Sequence, residues 1–169
     1  MLNRILSRLK GNNKLENATL EQRDNETFVV NCVVKNGVDE LMNASSRLKS
    51  DAKFILDLVR VCPECLNECA DVLFDRYVQN GVEVEEAIDR KLFVAMCCKK
   101  NVEAFRCLSK VDAMQYLHNV EEGRTVKGVF QGKSVEIALE NDEDYIDLLK
   151  YIRFGYIKTG SLYTACMTK

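Results

Sequence analysis

Apolar side chains recur at helical spacing through most of this chain, beginning at its first residues. Within Met1–Lys10 an apolar stripe follows the i, i+3, i+4, i+7 spacing of one helix face, with Arg and Lys elsewhere on the wheel. The stripe consists of Leu2, Ile5, Leu6 and Leu9. A polar Gly-Asn-Asn segment then ends it. The pattern predicts an amphipathic N-terminal helix and linker over residues 1–13. Docking on its own domain is the favoured role, and a membrane surface is the alternative.

An internal repeat follows this segment. Residues 25–33 and 51–59 align at an offset of 26 and share their apolar positions. Asn25 and Asp51 begin the two segments, and both residue types are good N-caps because their short side chains accept hydrogen bonds from the first helical turn. A second apolar stretch comes after each segment. The repeat therefore predicts two helix pairs within residues 24–80.

The repeated stretch also carries a motif, Asp-x-x-x-Val, then Val, Asn-Gly and Leu-x-x-Ala-Ser-x-x-Leu-Lys-x-Asp. Its positions here are Val29, Val33, Asn36–Gly37, Leu41, Ala44–Ser45, Leu48–Lys49 and Asp51. Over residues 24–74 the chain resembles the short helical repeat of a bacterial domain-of-unknown-function family. The second unit departs from the motif, with Cys62–Pro63 for Asn-Gly and Cys69–Ala70 for Ala-Ser. The resemblance implies a stacked helical scaffold and no catalytic residues.

Helical spacing continues over residues 82–169. The apolar positions and caps predict helices over about 84–100, 102–109, 112–120, 134–140 and 144–154. Residues 122–133 differ, because β-branched and polar residues alternate around Gly128 and predict a β-hairpin or extended loop near 124–133. We expect an all-α fold of stacked short helix pairs, resembling a helical repeat, with one small β-hairpin.

Composition favours a globular protein with little net charge. The 169 residues are 47% hydrophobic and 30% charged. This length and composition predict one packed domain over residues 1–169, with two very small domains that share a core as the alternative. The formal net charge of −2 argues against nucleic acid as a partner and makes an anionic membrane surface an unfavoured one.

Eight cysteines would indicate disulfides in a secreted protein. The N-terminal segment lacks the unbroken apolar run of a signal peptide, and no stretch approaches the roughly 18 apolar residues of a membrane span. We therefore expect reduced thiols in the cytoplasm, or in a host cytosol after export by a non-classical route.

Three of these cysteines form the strongest candidate for metal or thiol chemistry. Cys62, Cys65 and Cys69 contain a C-x-x-C pair, the spacing with which zinc and iron–sulfur sites present thiolates. However, no second C-x-x-C supplies further ligands, and the repeat places Cys69 where the first unit has Ala44. Cysteines that exchange with small apolar residues act as core fillers. We favour core packing for this cluster and expect no metal or cofactor.

Residues Gly128–Ser134 approach the phosphate-binding pattern G-x-x-x-x-G-K-[ST], but the segment is one residue too short. The stretch that precedes it is also too polar to be the buried strand that such a loop follows. We favour a hairpin turn that leads into a helix N-terminus.

His118 is the only histidine and lies on a predicted helix beside Leu117 and Val120. General acid–base or Ser-His chemistry would depend on it, yet no neighbouring sequence supplies both a nucleophile and an orienting acid. A structural histidine is the favoured interpretation.

Acidic residues concentrate at Glu136, Glu140, Asp142, Glu143, Asp144 and Asp147. Paired carboxylates can be catalytic, as in glycosidases. The favoured interpretation is a charged helix boundary, because acids stabilise the N-terminal end of a helix that begins near Asp144.

These observations favour a non-catalytic helical scaffold that mediates protein–protein interaction. Stacked helix pairs bury their apolar stripes against each other and leave an extended surface that suits recognition of a protein partner. A small enzyme or thiol- or metal-dependent regulator using Cys62, Cys65 and Cys69 is one alternative. A membrane-surface protein using the N-terminal helix is the other, and self-association through the exposed repeat edges stays open.

Overall fold

A computed structural model describes residues 14–69, 89–159 and 162–165, with side chains described up to residue 155. The contacts divide the chain into two compact units, unit 1 (Met1–Leu73) and unit 2 (Phe74–Lys169), where the sequence predicted a single domain. The predicted N-terminal helix of residues 1–13 lies outside the described residues. So do residues 70–88, which include parts of two predicted helices.

Unit 1 is built from short helical elements. Its α-helices are α1 (Leu20–Arg23), α2 (Glu26–Asn36), α3 (Ser46–Lys49) and α4 (Ala52–Val59). Two 3₁₀ helices, Leu15–Asn17 and Val38–Asn43, complete the described elements, and residues 65–69 are helical as well. The absence of strands among the described residues of this unit agrees with the all-α prediction.

The two predicted N-caps are confirmed. Asn25 Oδ1 accepts the backbone N–H of Phe28 at 2.9 Å, and α2 begins there. Asp51 Oδ1 accepts the N–H of Phe54 at 3.2 Å and begins α4 in the same way. Equivalent positions of the repeat therefore start equivalent helices, because each side chain satisfies a donor that the first turn leaves unpaired.

The second half of the first helix pair is divided rather than continuous. Gly37 ends α2 at φ 108°, a conformation that favours glycine, and the chain forms the 3₁₀ helix Val38–Asn43 before α3. Ser45 then starts α3, since its Oγ accepts the N–H of Leu48 at 3.2 Å. The sequence pattern missed this break because Ser45 both caps α3 and hydrogen-bonds Asp24 from 21 residues away.

The core of unit 1 consists of the inward faces of these elements. Its most buried side chains include Leu15, Val29, Val33, Leu41, Leu48, Ile55, Leu58, Val59, Cys65 and Cys69. Positions that the repeat aligned are buried together, as Cys32 and Leu58 are. A buried carboxylate also contributes, because Glu40 accepts the backbone N–H of Leu15 at 2.5 Å and holds the first 3₁₀ helix against the second.

Unit 2 combines helices with two β-hairpins. Its helices are α5 (Arg90–Lys100), α6 (Ala104–Cys107), α7 (Lys110–Glu121) and α8 (Glu143–Phe154). The strands are β1 (Thr125–Phe130) with β2 (Lys133–Ala138), and β3 (Tyr156–Thr159) with β4 (Leu162–Ala165), each pair antiparallel. The predominantly helical fold with a small hairpin is confirmed, whereas the β3–β4 hairpin was not predicted. No helix among the described residues has the length and apolar character needed to cross a bilayer.

The helix predicted over residues 134–140 is wrong, because this stretch is strand β2. Phe130 pairs with Lys133 across a turn in which Gln131 and Gly132 both have positive φ, the geometry of a tight two-residue hairpin. The signal was present in the sequence, since Val135 and Ile137 alternate with Ser134 and Glu136. Pairing with β1 stabilises the strand that this two-residue alternation indicates.

The β1–β2 hairpin packs against α5 with little clearance. A Cβ at Gly128 would lie 2.8 Å from Asp89 Cβ and 3.2 Å from Leu92 Cδ2. Asp89 is also the N-cap of α5, because its Oδ1 accepts the N–H of Leu92 at 3.0 Å. Glycine at position 128 thus lets the strand approach the start of the helix without disturbing its cap.

We expect Gly128→Ala to lower the free energy of unfolding by about 1–3 kcal/mol, because the added methyl group collides with the base of a capping side chain. Urea unfolding followed by circular dichroism measures this change. Lys127→Ala, at the neighbouring exposed position, is the control and is expected to cost less than about 1 kcal/mol. Equal stability of Gly128→Ala and the wild type would contradict the close packing.

The paired caps provide a second test of the fold. Asn25→Ala and Asp51→Ala each remove the acceptor at a helix start, so each is expected to lower the free energy of unfolding by about 1 kcal/mol. Glu21→Ala on α1 is the matched exposed control. If only one cap variant is destabilised, the two helix starts are not equivalent and the structural repeat is wrong.

Candidate functional site

A concave surface of unit 1 lies between α2 and α4, and we call it the α2–α4 groove. Its volume is about 490 Å³. It is lined by Glu26, Thr27, Val30, Asn31, Asp51, Lys53, Phe54, Asp57, Arg60 and Val61. The groove thus forms between the two helices that the repeat made equivalent, with its lining taken from the first half of α2 and from the whole length of α4.

Local sequence explains why this surface is concave and apolar at its base. Buried residues of α2, such as Val29 and Val33, point to the core, and residues 26, 27, 30 and 31 occupy a different face. Val30 is half-buried and Phe54 is buried, so the two side chains form an apolar floor. The exposed rim contributes polar atoms, including Thr27 and Asn31 from α2.

Charges of both signs surround the groove. The rim carries the carboxylates of Glu26, Asp51 and Asp57 and the cationic groups of Lys53 and Arg60. One Asp51 oxygen accepts two backbone N–H groups of α4, which holds this carboxylate at the groove end. A ligand that fits the site therefore needs apolar contact at the floor and polar groups at its edges.

An ion pair lies beside the same end. Arg47 Nε lies 2.9 Å from Asp24 Oδ1, and Ser45 Oγ donates to that same oxygen. The hydrogen bonds from Ser45 and then Arg47 hold the pKa of Asp24 below its usual value. The hydrogen bond to Asp24 raises the pKa of Arg47, to which Glu26 and Asp51 also contribute by attraction. This pair joins α1 to α3 and keeps a positive charge near the carboxylates of the groove.

The three candidate cysteines do not share one environment. Cys65 and Cys69 are completely buried in the core of unit 1, as the repeat predicted, whereas Cys62 is half-buried and its Sγ lies 3.5 Å from Glu64 Oε2. Burial raises the pKa of Cys69 to about 12. Among the described residues no three His, Cys, Asp or Glu side chains converge closely enough to hold a metal ion.

Unit 2 has a buried cluster that sequence reasoning missed. Cys97 and Cys98 lie in its core, and burial raises the pKa of Cys97 to about 12. Nearby, the hydroxyls of Tyr116 and Tyr145 lie 3.1 Å apart, and the pKa of Tyr116 is raised, first by burial and then by Cys98. No sequence signal connects tyrosines 29 residues apart. The cluster is neutral at pH 7, so the thiols and phenols act as packing groups.

His118 lies on the exposed face of α7. Its Nε2 is 3.2 Å from Glu122 Oε1 in an i,i+4 pair whose side chains are each about half exposed. Pairs of this kind are typical of helix surfaces and contribute little to stability. The imidazole thus lies on a helix surface beside a carboxylate, and a structural role stays the favoured interpretation.

The structure contradicts the phosphate-loop interpretation of residues Gly128–Ser134. The segment is the end of β1, a two-residue turn and the start of β2, so its backbone groups pair in a ladder instead of curling around an anion. The turn that the sequence predicted is confirmed. The helix N-terminus that was expected to follow it is wrong.

The acidic cluster marks a helix boundary, as predicted. Asp142 Oδ1 accepts the N–H of Tyr145 at 2.9 Å and begins α8, whose first turn contains two further acids. The bases that follow on α8 make tertiary contacts. Lys150 pairs with Glu121 at 2.8 Å, and Arg153 donates to the carbonyl oxygen of Arg106 at 2.8 Å. These contacts tie α8 to α7 and to the end of α6.

Comparison with known proteins found no matching family model, no matching curated protein and no matching solved structure.

The thiol environments predict different reactivities. Iodoacetamide at pH 8 is expected to label Cys62 in the folded protein and to leave Cys65, Cys69 and Cys97 unmodified, because only an accessible thiolate reacts. Mass spectrometry of tryptic peptides measures the labelled fraction, with urea-unfolded protein as the fully reactive control. Rapid native labelling of Cys69 would show that it is not a core residue.

Stability is expected to fall as pH rises above 9. Below pH 9 the Cys69 thiol is protonated in both states, and between pH 9 and 12 the unfolded chain loses this proton while the folded protein keeps it. Each such thiol lowers the free energy of unfolding by about 1.4 kcal/mol per pH unit in this interval. Urea titrations at pH 8, 9 and 10.5 measure the slope. Cys69→Ala should make the slope shallower.

Proposed function

We propose that the protein is a non-catalytic helical scaffold that mediates protein–protein interaction and binds a segment of another protein in the α2–α4 groove. The observation that carries this proposal is the groove itself, an open concavity of about 490 Å³ between two helices that begin at equivalent positions of the repeat, each with a side-chain N-cap. Its volume lies in the range of about 300–1,000 Å³ typical of binding clefts.

The lining of the groove favours a peptide as the ligand. Val30 and Phe54 offer a floor for one or two apolar side chains, and the charged rim offers partners to polar groups on either side of them. The carboxylates outnumber the cationic groups at this rim, so a segment with an apolar anchor flanked by a basic residue has the matching chemistry.

The relation to the repeat family of unknown function stays a proposal, and the motif positions support it. Val29, Val33, Leu41 and Leu48 are buried. Gly37 has a positive φ at the end of α2, and Ser45 and Asp51 cap the next two helices. These motif positions thus have structural roles in this chain, which fits a scaffold.

No specific observation supports either alternative function, the thiol- or metal-dependent enzyme or regulator or the membrane-surface protein. Burial and the raised pKa of Cys69 argue against a nucleophilic or redox role for that thiol, because the reactive form is the thiolate. The membrane-surface alternative depends on residues 1–13, which lie outside the described part of the chain. We propose a cytoplasmic location, or a host cytosol, on the support of the reduced thiols of Cys69, Cys97 and Cys98.

Site-specific photocrosslinking tests the groove. A benzophenone amino acid is placed at Asn31, which lines the groove, or at Val34, which is 62% exposed on the same helix but outside the lining. The full chain is then irradiated in a lysate of cells that express it. We expect a partner protein to be crosslinked by the benzophenone at position 31 and not by the benzophenone at position 34.

A blocking variant gives the second arm of this experiment. Asn31→Trp should fill the groove and remove the partner from pull-downs, whereas Val34→Trp adds the same bulk outside the groove and should retain it. Circular dichroism confirms that both variants fold. Equal capture by the two variants, or crosslinks from both positions, would place the interaction elsewhere and refute the groove.

A further inference from the structure

Among the described residues, no further strand pairs with the outer edge of either β1 or β2. Leu139 N–H donates to Arg124 carbonyl oxygen at 3.0 Å, which makes 124 and 139 a hydrogen-bonded pair that continues the ladder. Along two antiparallel strands, residue pairs that are hydrogen-bonded to each other alternate with residue pairs that are not. The backbone groups of Thr125, Lys127 and Val129 on β1 therefore point away from β2.

These outward groups are available for a further strand. Within the part of the chain that the structure describes, the backbone N–H and C=O of Thr125, Lys127 and Val129 form no hydrogen bond, and the sheet has two strands. All three residues are exposed and none is proline. An open edge without a blocking residue is a template for an added strand.

The opposite edge, on β2, is the poorer template. Its outward residues are Ser134, Glu136 and Ala138, which include no β-branched or aromatic side chain. On β1, Thr125 and Val129 are both β-branched, and Val129 is 42% exposed. Cross-strand pairs of such side chains stabilise an added strand.

Charge disfavours a second copy of this chain as the occupant. Antiparallel pairing of β1 with β1 of another copy that uses all three outward residues places Lys127 opposite Lys127, and like charges directly opposite are destabilising. Within the hairpin, Lys127 already pairs with Glu136 at 2.8 Å, which shows the partner that this position favours.

We propose that the open edge of β1 binds an extended acidic segment of another protein as a third antiparallel strand. The segment has Asp or Glu opposite Lys127 and β-branched or aromatic residues opposite Thr125 and Val129. Main-chain hydrogen bonds supply the affinity, and the acidic residue sets the register. This site belongs to unit 2 and does not depend on the α2–α4 groove.

Two synthetic probes test the proposal with the full-length protein. One is a fluorescein-labelled nine-residue peptide of alternating threonine and valine with a central glutamate, and the other has a central lysine. Fluorescence anisotropy measures their dissociation constants. We expect the glutamate probe to bind at least about fivefold more tightly, a difference of about 1 kcal/mol from one exposed charge pair.

Proline variants separate the two edges. Lys127→Pro removes an outward N–H of β1, and Glu136→Pro removes an outward N–H of β2. Both also remove the Lys127–Glu136 ion pair and keep the ladder between the strands. Lys127→Pro is expected to weaken binding of the glutamate probe about tenfold, and Glu136→Pro less than about threefold. Lys127→Glu, which keeps the backbone donor, should reverse the preference between the probes.

Hydrogen exchange identifies the bound edge directly. On adding the glutamate probe, the amides of Lys127 and Val129 should become protected from exchange, and those of Ser134 and Glu136 should not. Protection of the β2 amides instead, equal weakening by the two proline variants, or no binding of either probe would overturn the proposal.

Discussion

Unit 1 depends on one interaction made twice, a short polar side chain that accepts a backbone N–H at the start of a helix. Asn25 does this for α2 and Asp51 does it for α4. Because each cap sets where its helix begins, it also sets which residues point to the core and which line the α2–α4 groove. A one-residue shift in the register of either helix against its neighbours would turn its side chains by about 100° and remove the apolar floor.

The cysteines follow from the same requirement for well-packed interiors. Cys65, Cys69, Cys97 and Cys98 fill positions where aliphatic side chains would also serve. In the absence of water their neutral form is favoured, which is why burial raises their pKa wherever a shift is resolved. Buried thiols of this kind are neutral and inaccessible, so they act as packing groups. Binding to other molecules then depends on the surfaces of the protein.

The two units present surfaces of different kinds. Unit 1 has a groove between helices, where side chains decide what binds. Unit 2 has a strand edge, where the backbone offers the hydrogen bonds and side chains such as Lys127 only select among extended segments. The close approach of Gly128 to α5 keeps the hairpin against this helix. Both surfaces fit the partner-binding role that we propose.

The sequence by itself determined the structural features that depend on residues three or four positions apart in the chain. It predicted the caps at Asn25 and Asp51, most helices, and the hairpin turn, because these are local interactions. It did not predict that residues 134–138 form a strand, that Ser45 divides a helix, or that Tyr116 meets Tyr145. The α2–α4 groove and the open edge of β1 likewise needed the tertiary structure. Each depends on contacts between residues distant in the chain, whose geometry no local pattern specifies.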